Sequence, residues 1–561
     1  MVTQAAAVLG LLAWGRGAVP VAAAIALSAL LLTFTWVRVR RRWLYQWLGL
    51  WLRYAARRRT LDAGASAGDL LRWLHPDARL TTQECDGTPA GVIEDGYGRT
   101  ALLELGDPGE LLVGAATAPV PLHTLLPAGG DGAPVHLRLV VTGSPAPALR
   151  AGGGAAATSY RQLADGRPLA AQRAVLGVRV DRTEATTDED LTRALATAVR
   201  RVRRRIGTAR VLAEPAVPAV LADLAHHDPE QPGRERWPGV RLGGLVQATY
   251  RVRRLPDPAE ASSAHLVPRM LALPAASTTV ALVVDANGAS MAVRLAAPNA
   301  AALAVAAQAL RRLLGGFHAA AQRMDGEHAP GLVATLPIAN VHSGRVVPAA
   351  DAGILTPPVG GAGLVLGRDR HGDTVVARLF RAEPTRALLA GGLPAAQLVT
   401  LRALALGARV VVQSARPQAW ESFVRGVSAP GDAVILAPLG RPAAVLATPG
   451  SPLVPQLVVV DAGAPVAAEL PAGWRTTLLV REELHPGDLD ALARADLVVL
   501  QPLSPPEAAL AAGALGLGAA QDWLSRIRGD MIGVVNRRTV RWAQLAATQV
   551  EQQLLGAVGR G

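Results

Sequence analysis

Ala387–Leu389 reads as a short apolar strand; behind it come Ala390-Gly391-Gly392-Leu393-Pro394 and a helical stretch. Backbone N–H groups at such a strand–turn–helix corner bind anions readily, so this is where a nucleotide phosphate would sit. Further on, the apolar run Leu457–Val460 ends in Asp461, placed like a carboxylate that holds Mg²⁺. A P-loop also needs Gly-Lys-Ser/Thr at the helix start, with Lys on the β/γ-phosphates and the hydroxyl on the metal. Here Pro394-Ala395-Ala396-Gln397 stands instead, and the chain contains no lysine. The pattern argues against a working NTPase and leaves open a degenerate, non-hydrolysing relative of that fold.

Other candidate chemistry is thinner. Neighbouring residues on a helix point about 100° apart, so His226-His227 makes a poor joint metal site and reads as a solvated helix end. Asp369-Arg370-His371-Gly372-Asp373 gathers two carboxylates and a histidine, yet Asp and Gly between apolar runs also make a hairpin turn, the reading preferred. Arg200, Arg201, Arg203, Arg204 and Arg205 crowd the last turns of a predicted helix, where the helix dipole favours cations. No H-E-x-x-H or cysteine cluster is present. The single cysteine, Cys85, excludes an intrachain disulfide and fits a cytosolic body.

The elements that would carry these residues fall into two groups. In 61–345, Val92–Leu105 turns at Glu94–Gly98, and Val135–Val141 alternates as a strand. Pro145–Ala157 is Ala/Gly-rich and reads as a loop. Thr187 caps a helix with Leu191, Leu195, Val199, Val202 and Ile206 on one face. Asp285-Ala-Asn-Gly288 joins two strands, and Asn299 caps a helix running to about Leu314. This predicts an α+β domain. In 346–561, strands at 387–389, 408–413, 433–437, 457–460, 476–480 and 497–500 alternate with helices at 395–406, 417–425 and 486–494. That spacing predicts a doubly wound parallel sheet.

Ahead of both lies Ala18–Val37, twenty residues without a charge and ~30 Å long as a helix, the hydrocarbon thickness of a bilayer. Val2–Trp14 is apolar but reaches only ~20 Å. Together they predict a transmembrane hairpin over 1–37 with an incomplete first limb, the true start codon lying upstream; a single span is the alternative. Charges follow the apolar core instead of preceding it, which distinguishes an anchor from a cleaved signal peptide.

Residues 38–60 then carry Arg38, Arg40, Arg41, Arg42, Arg53, Arg57, Arg58 and Arg59 without a carboxylate. Trp43, Trp47 and Trp51, three of eleven tryptophans, recur every four residues. Arginines beside a span are retained in the cytoplasm, and tryptophans settle at the headgroup level. We therefore read Arg38, Arg40, Arg41, Arg42, Trp43, Trp47, Trp51, Arg57, Arg58 and Arg59 as a membrane-interface helix; packing against protein is the rival and can coexist with it. Eight of the surplus charges behind the net +13 lie in this stretch, so the basicity is a membrane feature more than a nucleic-acid one.

The stretch RRRWLYQWLGLWLRYAARRR, the run from Gly367 to Gly426 and the C-terminal DMIGVVNRRTVRWAQLAAT resemble EccE, a membrane component of actinobacterial ESX (type VII) secretion systems. The resemblance implies two N-terminal spans, a cytosolic body, and assembly with EccB, EccC and EccD, the ATPase being EccC. It transfers no catalytic residue, metal or cofactor. The fold expected is thus membrane-anchored α/β: a transmembrane hairpin, an α+β domain and a Rossmann/P-loop-like domain without catalytic motifs. The expected function is a non-catalytic subunit of the secretion complex in the plasma membrane, most of the chain being cytoplasmic and nucleic acid no partner. A membrane-anchored nucleotide- or lipid-binding α/β protein is the alternative.

Overall fold

A computed structural model describes residues 38–39, 42–106, 109–113, 121–127, 133–163, 169–338, 347–427, 433–440, 443, 446–462, 471–536 and 539–559. After a short ribbon, Arg38–Val39 against Arg42–Trp43, comes helix α1, Leu44–Ala56. The strands of the first half are β1 Thr60–Leu61, β2 Arg79–Cys85, β3 Thr88–Asp95, β4 Gly98–Leu105, β5 Leu112–Val113, β6 Val135–Pro145 and β7 Leu169–Asp181. They continue as β8 Arg210–Val211, β9 Gly233–Arg236, β10 Gly239–Leu242, β11 Leu245–Arg254, β12 Ser277–Asp285, β13 Gly288–Ala297 and β14 Ala320–Arg323. All but β5 form one antiparallel sheet, ordered β1-β9-β10-β11-β13-β12-β6-β7-β4-β3-β2, with β8 on β4 and β14 on β11.

Helices cover both faces of this sheet. α2 Ala67–Leu74, α5 Ala216–Ala225 and α8 His328–Ala334 lie over one core; α4 Asp188–Arg205, α6 Leu266–Leu271 and α7 Ala300–Gly316 lie over the other. Every residue of β12 and β13 is therefore buried, where a one-sided antiparallel sheet would alternate. α4 starts where the sequence places it: Thr187 Oγ1 accepts from Asp190 N at 3.2 Å, and the Asp190 carboxylate accepts from Thr187 N at 3.2 Å. Asn299 caps α7 through Ala302 N at 2.9 Å. Pro145–Ala157, expected as a loop, already starts helix α3, Ala155–Leu163.

The second sheet uses β15 Leu364–Arg368, β16 Thr374–Ala377, β17 Thr385–Ala390, β18 Arg409–Ser414, β19 Val434–Ala437, β20 Gln456–Asp461, β21 Arg475–Arg481, β22 Leu497–Leu500, β23 Met531–Asn536 and β24 Thr539–Gln544. Its order is β19-β18-β20-β21-β17-β22-β23-β24-β15-β16-β5. The six strands from β19 to β22 are parallel, and the rest pair antiparallel. α9 Leu393–Ala405, α10 Pro417–Val427 and α14 Gln549–Leu555 cover one face; α11 Leu489–Arg494, α12 Pro505–Leu515 and α13 Gln521–Leu524 cover the other. Ala395 to Ala405 of α9 is buried throughout, because α3 and α14 close over the side away from the sheet.

Two expectations are corrected. Among the described residues no helix is long and apolar enough to cross a membrane, and the hairpin expected over 1–37 lies outside them. The class is α+β, built on one large antiparallel sheet and one mixed sheet, in place of the doubly wound α/β arrangement expected. The parallel strands and their helices sit as expected, but β23, β24, β15, β16 and β5 extend the sheet antiparallel. The first-half segments β5 and α3 complete the second unit: Tyr160 Oη donates to Gly363 O at 3.1 Å and accepts from Val365 N at 3.1 Å.

Candidate interaction surface

α1 has no acidic residue in its first turn; Gln46 Oε1 accepts from Trp43 N at 3.1 Å instead. One face docks on the first unit. Leu50 is buried, Trp47 stacks on Trp237 with centroids 6.0 Å apart, and Tyr54 meets the same ring edge-on at 5.3 Å. Arg57 closes the joint: Nε donates to Glu235 Oε2 at 2.8 Å, Nη2 pairs with Oε1, and Nη2 also donates to Gly326 O at 2.7 Å. The Glu235 carboxylate is wholly buried and also accepts from Ala329 N at 2.9 Å. Gly326 has φ +73°, and a Cβ there would lie 2.7 Å from the Trp237 ring, so only glycine lets the tryptophan seat.

The other side of α1 is turned outward. Tyr45, Leu48, Trp51 and Leu52 are about half exposed, Trp51 at 55%, and form a continuous apolar stripe. Arg58 and Arg59 are exposed behind it, and the Arg38 guanidinium lies 3.8 Å over the Trp43 ring. Of the residues read as a membrane interface, Trp47 and Arg57 thus face the body, while Arg38, Trp51, Arg58 and Arg59 are exposed and Trp43 is intermediate. Arg42 lies in the ribbon, and Arg40 and Arg41 fall outside the described residues. Glu235, Trp237 and Gly326 were not legible as docking partners, since nothing local marks them.

The corner expected to hold phosphate is filled by the protein itself. Gly391 N donates to Arg481 O at 2.8 Å, and Gly392 N donates to Gln501 Oε1 at 2.8 Å. Gln501 is fully buried, and its Nε2 donates to Val558 O at 2.8 Å, tying the chain's C-terminal segment to the turn. Asp461 is equally engaged: it accepts from Ser414 Oγ at 2.7 Å, Trp420 Nε1 at 2.8 Å, and Arg416 Nε and Nη2 at 3.0 Å. Burial pushes its pKa up, but Arg416, Trp420 and Ser414 outweigh that and hold it below the usual carboxylate range.

The remaining candidates resolve structurally. Asp369 Oδ1 accepts from the N–H groups of His371 and Asp373 at 2.8 and 3.0 Å, as a hairpin turn requires. Arg200 and Arg203 pair with Asp86 at 3.0 and 3.1 Å. His226 ends α5 in a left-handed conformation, and burial, reinforced by Arg294, holds its imidazole down to about 3. His227 Nε2 lies 2.9 Å from Ala65 O, so this pair is half-buried at the helix end and tied to the chain in place of standing free in solvent. Among the described residues no three His, Cys, Asp or Glu could share a metal.

Against known proteins, the chain matches a family of secretion-translocon proteins over residues 168–252. That family is described as "Putative type VII ESX secretion system translocon, EccE", so the resemblance read from the sequence holds over that stretch. The match spans β7 to β11 and contains both Glu235 and Trp237. No curated protein matches the chain. Solved structures similar to part of it include the genome packaging NTPase B204 from Sulfolobus turreted icosahedral virus 2 with AMP, at 8% identity and TM-score 0.22, covering 29% of this chain and 98% of that one. The same protein with AMPPCP aligns at 9% identity and TM-score 0.22, covering 29% and 99%. At these scores the likeness supports no statement about this chain.

Proposed function

We propose that this chain is a non-catalytic structural subunit of a type VII (ESX) secretion complex, held at the cytoplasmic face of the cell membrane. The match over residues 168–252 carries this reading, and it supports a secretion-system component with membrane association. EccB, EccC and EccD are the partners proposed. The membrane contact assigned is the Tyr45–Leu48–Trp51–Leu52 stripe of α1, an apolar face flanked by arginines that suits anionic headgroups. The non-catalytic part is supported by Gln501 in the glycine turn and by the four donors on Asp461, which leave the nucleotide-like corner engaged in holding the fold.

The experiment has two arms. Affinity purification of the full chain from membranes of a host carrying the secretion genes should bring EccB, EccC and EccD with it; their absence would sink the subunit reading. An environment-sensitive dye on Leu52→Cys reports the contact, because Cys85 is buried and does not compete for label. Anionic vesicles should shift the dye to the blue and expose it to headgroup-depth quenchers. An unshifted dye on a bound protein would remove α1 from the interface.

A further inference from the structure

The antiparallel wing of the second sheet contains a break. β15 and β24 pair at a single position, Arg368 opposite Gln544, and there the strands come very close: a Cβ on Gly367 would lie 2.2 Å from Gln544 O. Beyond it β15 turns away, because Asp369 N donates to Asp373 O at 2.8 Å and closes the hairpin to β16. β24 runs on past the break from Gln544 back to Thr539, paired on its other side to β23. Successive residues of an antiparallel strand point their backbone groups alternately to either side, so β24 presents a row of donors and acceptors to the gap.

The gap is a groove of about 940 Å³. Its walls carry Arg368, Arg370, His371, Arg528, Arg541 and Trp542. Two carboxylates share the lining, Asp369 and Asp373. Asp369 is folded onto the turn's own N–H groups, which leaves Asp373 at the lip. Arg528 is 3.3 Å from Asp530, on the exposed surface. Positive charge dominates the walls.

We infer that β24 is a strand-addition site, and that its occupant is an extended acidic segment of a partner protein. Both observations are needed. A backbone edge gives affinity to any extended chain, and arginine walls select one carrying Glu or Asp on alternate residues. The five residues Thr539–Ala543 would accommodate ~17 Å of partner strand. A nucleic acid would use the arginines but could not pair with the edge. This inference stands apart from the family reading, since it needs neither a membrane nor a secretion complex.

The probe is a fluorescein-labelled peptide, Thr-Glu-Val-Glu-Val-Glu-Thr, titrated against the full chain by fluorescence anisotropy. Three comparisons are made: the peptide with Lys for Glu, the acidic peptide N-methylated on alternate residues, and the Arg370→Ser/Arg528→Ser protein. Each should bind at least tenfold more weakly, with the melting temperature of the variant unchanged. Hydrogen exchange should slow at amides of β24 when the acidic peptide is present. Binding indifferent to N-methylation would reduce the groove to a charged patch and overturn strand addition. Equal affinity for the lysine peptide, displacement by a single-stranded oligonucleotide at lower concentration than by unlabelled peptide, or no peptide binding at all would overturn the proposed occupant.

Discussion

Glu551→Ala should be the most damaging small change in the C-terminal part of the chain. Glu551 and Arg402 have side-chain exposures of 0% and 2%. Arg402 Nε and Nη2 donate to the two carboxylate oxygens at 3.0 and 2.9 Å. The guanidinium also reaches Val365 O, Leu366 O and Ala546 O, so one side chain in α9 clamps β15 and α14. Truncating Glu551 strands a buried cation, a loss of roughly 3–5 kcal/mol, and removes the capping box that Glu551 forms with Thr548, about 1 kcal/mol more. At roughly 2–4 °C per kcal/mol for a unit of this size, the transition of the second unit should fall by at least ~6 °C. Glu551→Gln keeps the cap and should fall between. The paired change Arg402→Met/Glu551→Leu removes both charges together and should be milder than either single variant. Differential scanning calorimetry of the full chain measures all four proteins. A loss below ~1 kcal/mol for Glu551→Ala, or a paired variant as unstable as the single one, would refute the clamp.

Two further outcomes are expected. His136 lies between Asp285 Oδ2 at 3.0 Å and Asp181 Oδ2 at 2.8 Å; burial opposes its charge, but the two carboxylates outweigh burial and raise it to about 9. The folded value lies above the unfolded one, so this stabilisation is complete below about pH 6.5 and is lost as pH rises to about 9, some ~3 kcal/mol in all. Urea midpoints should fall over that window and flatten in His136→Gln; a flat wild-type profile would count against the triad. Gly391→Ala would set a Cβ 2.4 Å from Gln501 Oε1 and evict it, so a lowered melting temperature and faster exchange at the Gly392 amide are expected. Unchanged exchange would mean that Gln501 does not hold the glycine turn.

Much of the fold was legible where a local signal decides the structure. The Thr187 capping box, the Asp285–Gly288 turn, the Asn299 cap and the six short apolar strands all formed as read. Of the antiparallel wing, the Asp369–Asp373 turn was legible but the β23–β24 hairpin was not, because Arg537-Arg538 between those strands offers none of the Gly or Asn residues that advertise a hairpin. The tryptophan stripe was only half legible. A four-residue spacing drifts ~40° around a helix at each step, so Trp47 and Trp51 diverge. Trp237, supplied from the first sheet, then takes one and leaves the other outside. Asp461 looked like a metal carboxylate because strand-end position is visible in a sequence, whereas the indole and guanidinium that converge on it come from separate elements.

The second unit is also completed out of order in time. β5 and α3 are synthesised long before the sheet they finish, and Thr548, Glu551 and Val558, which lock α3, α9 and the glycine turn, follow its last strand. On a ribosome, the early segments must wait with Tyr160 and Leu163 unburied until α14 has emerged, a long exposure in which chaperone protection matters. A chain stopped at Thr548 would lose Glu551 and Val558 together. It would carry a buried arginine with no counter-charge and a sheet with no lock, a form that protein quality control should remove.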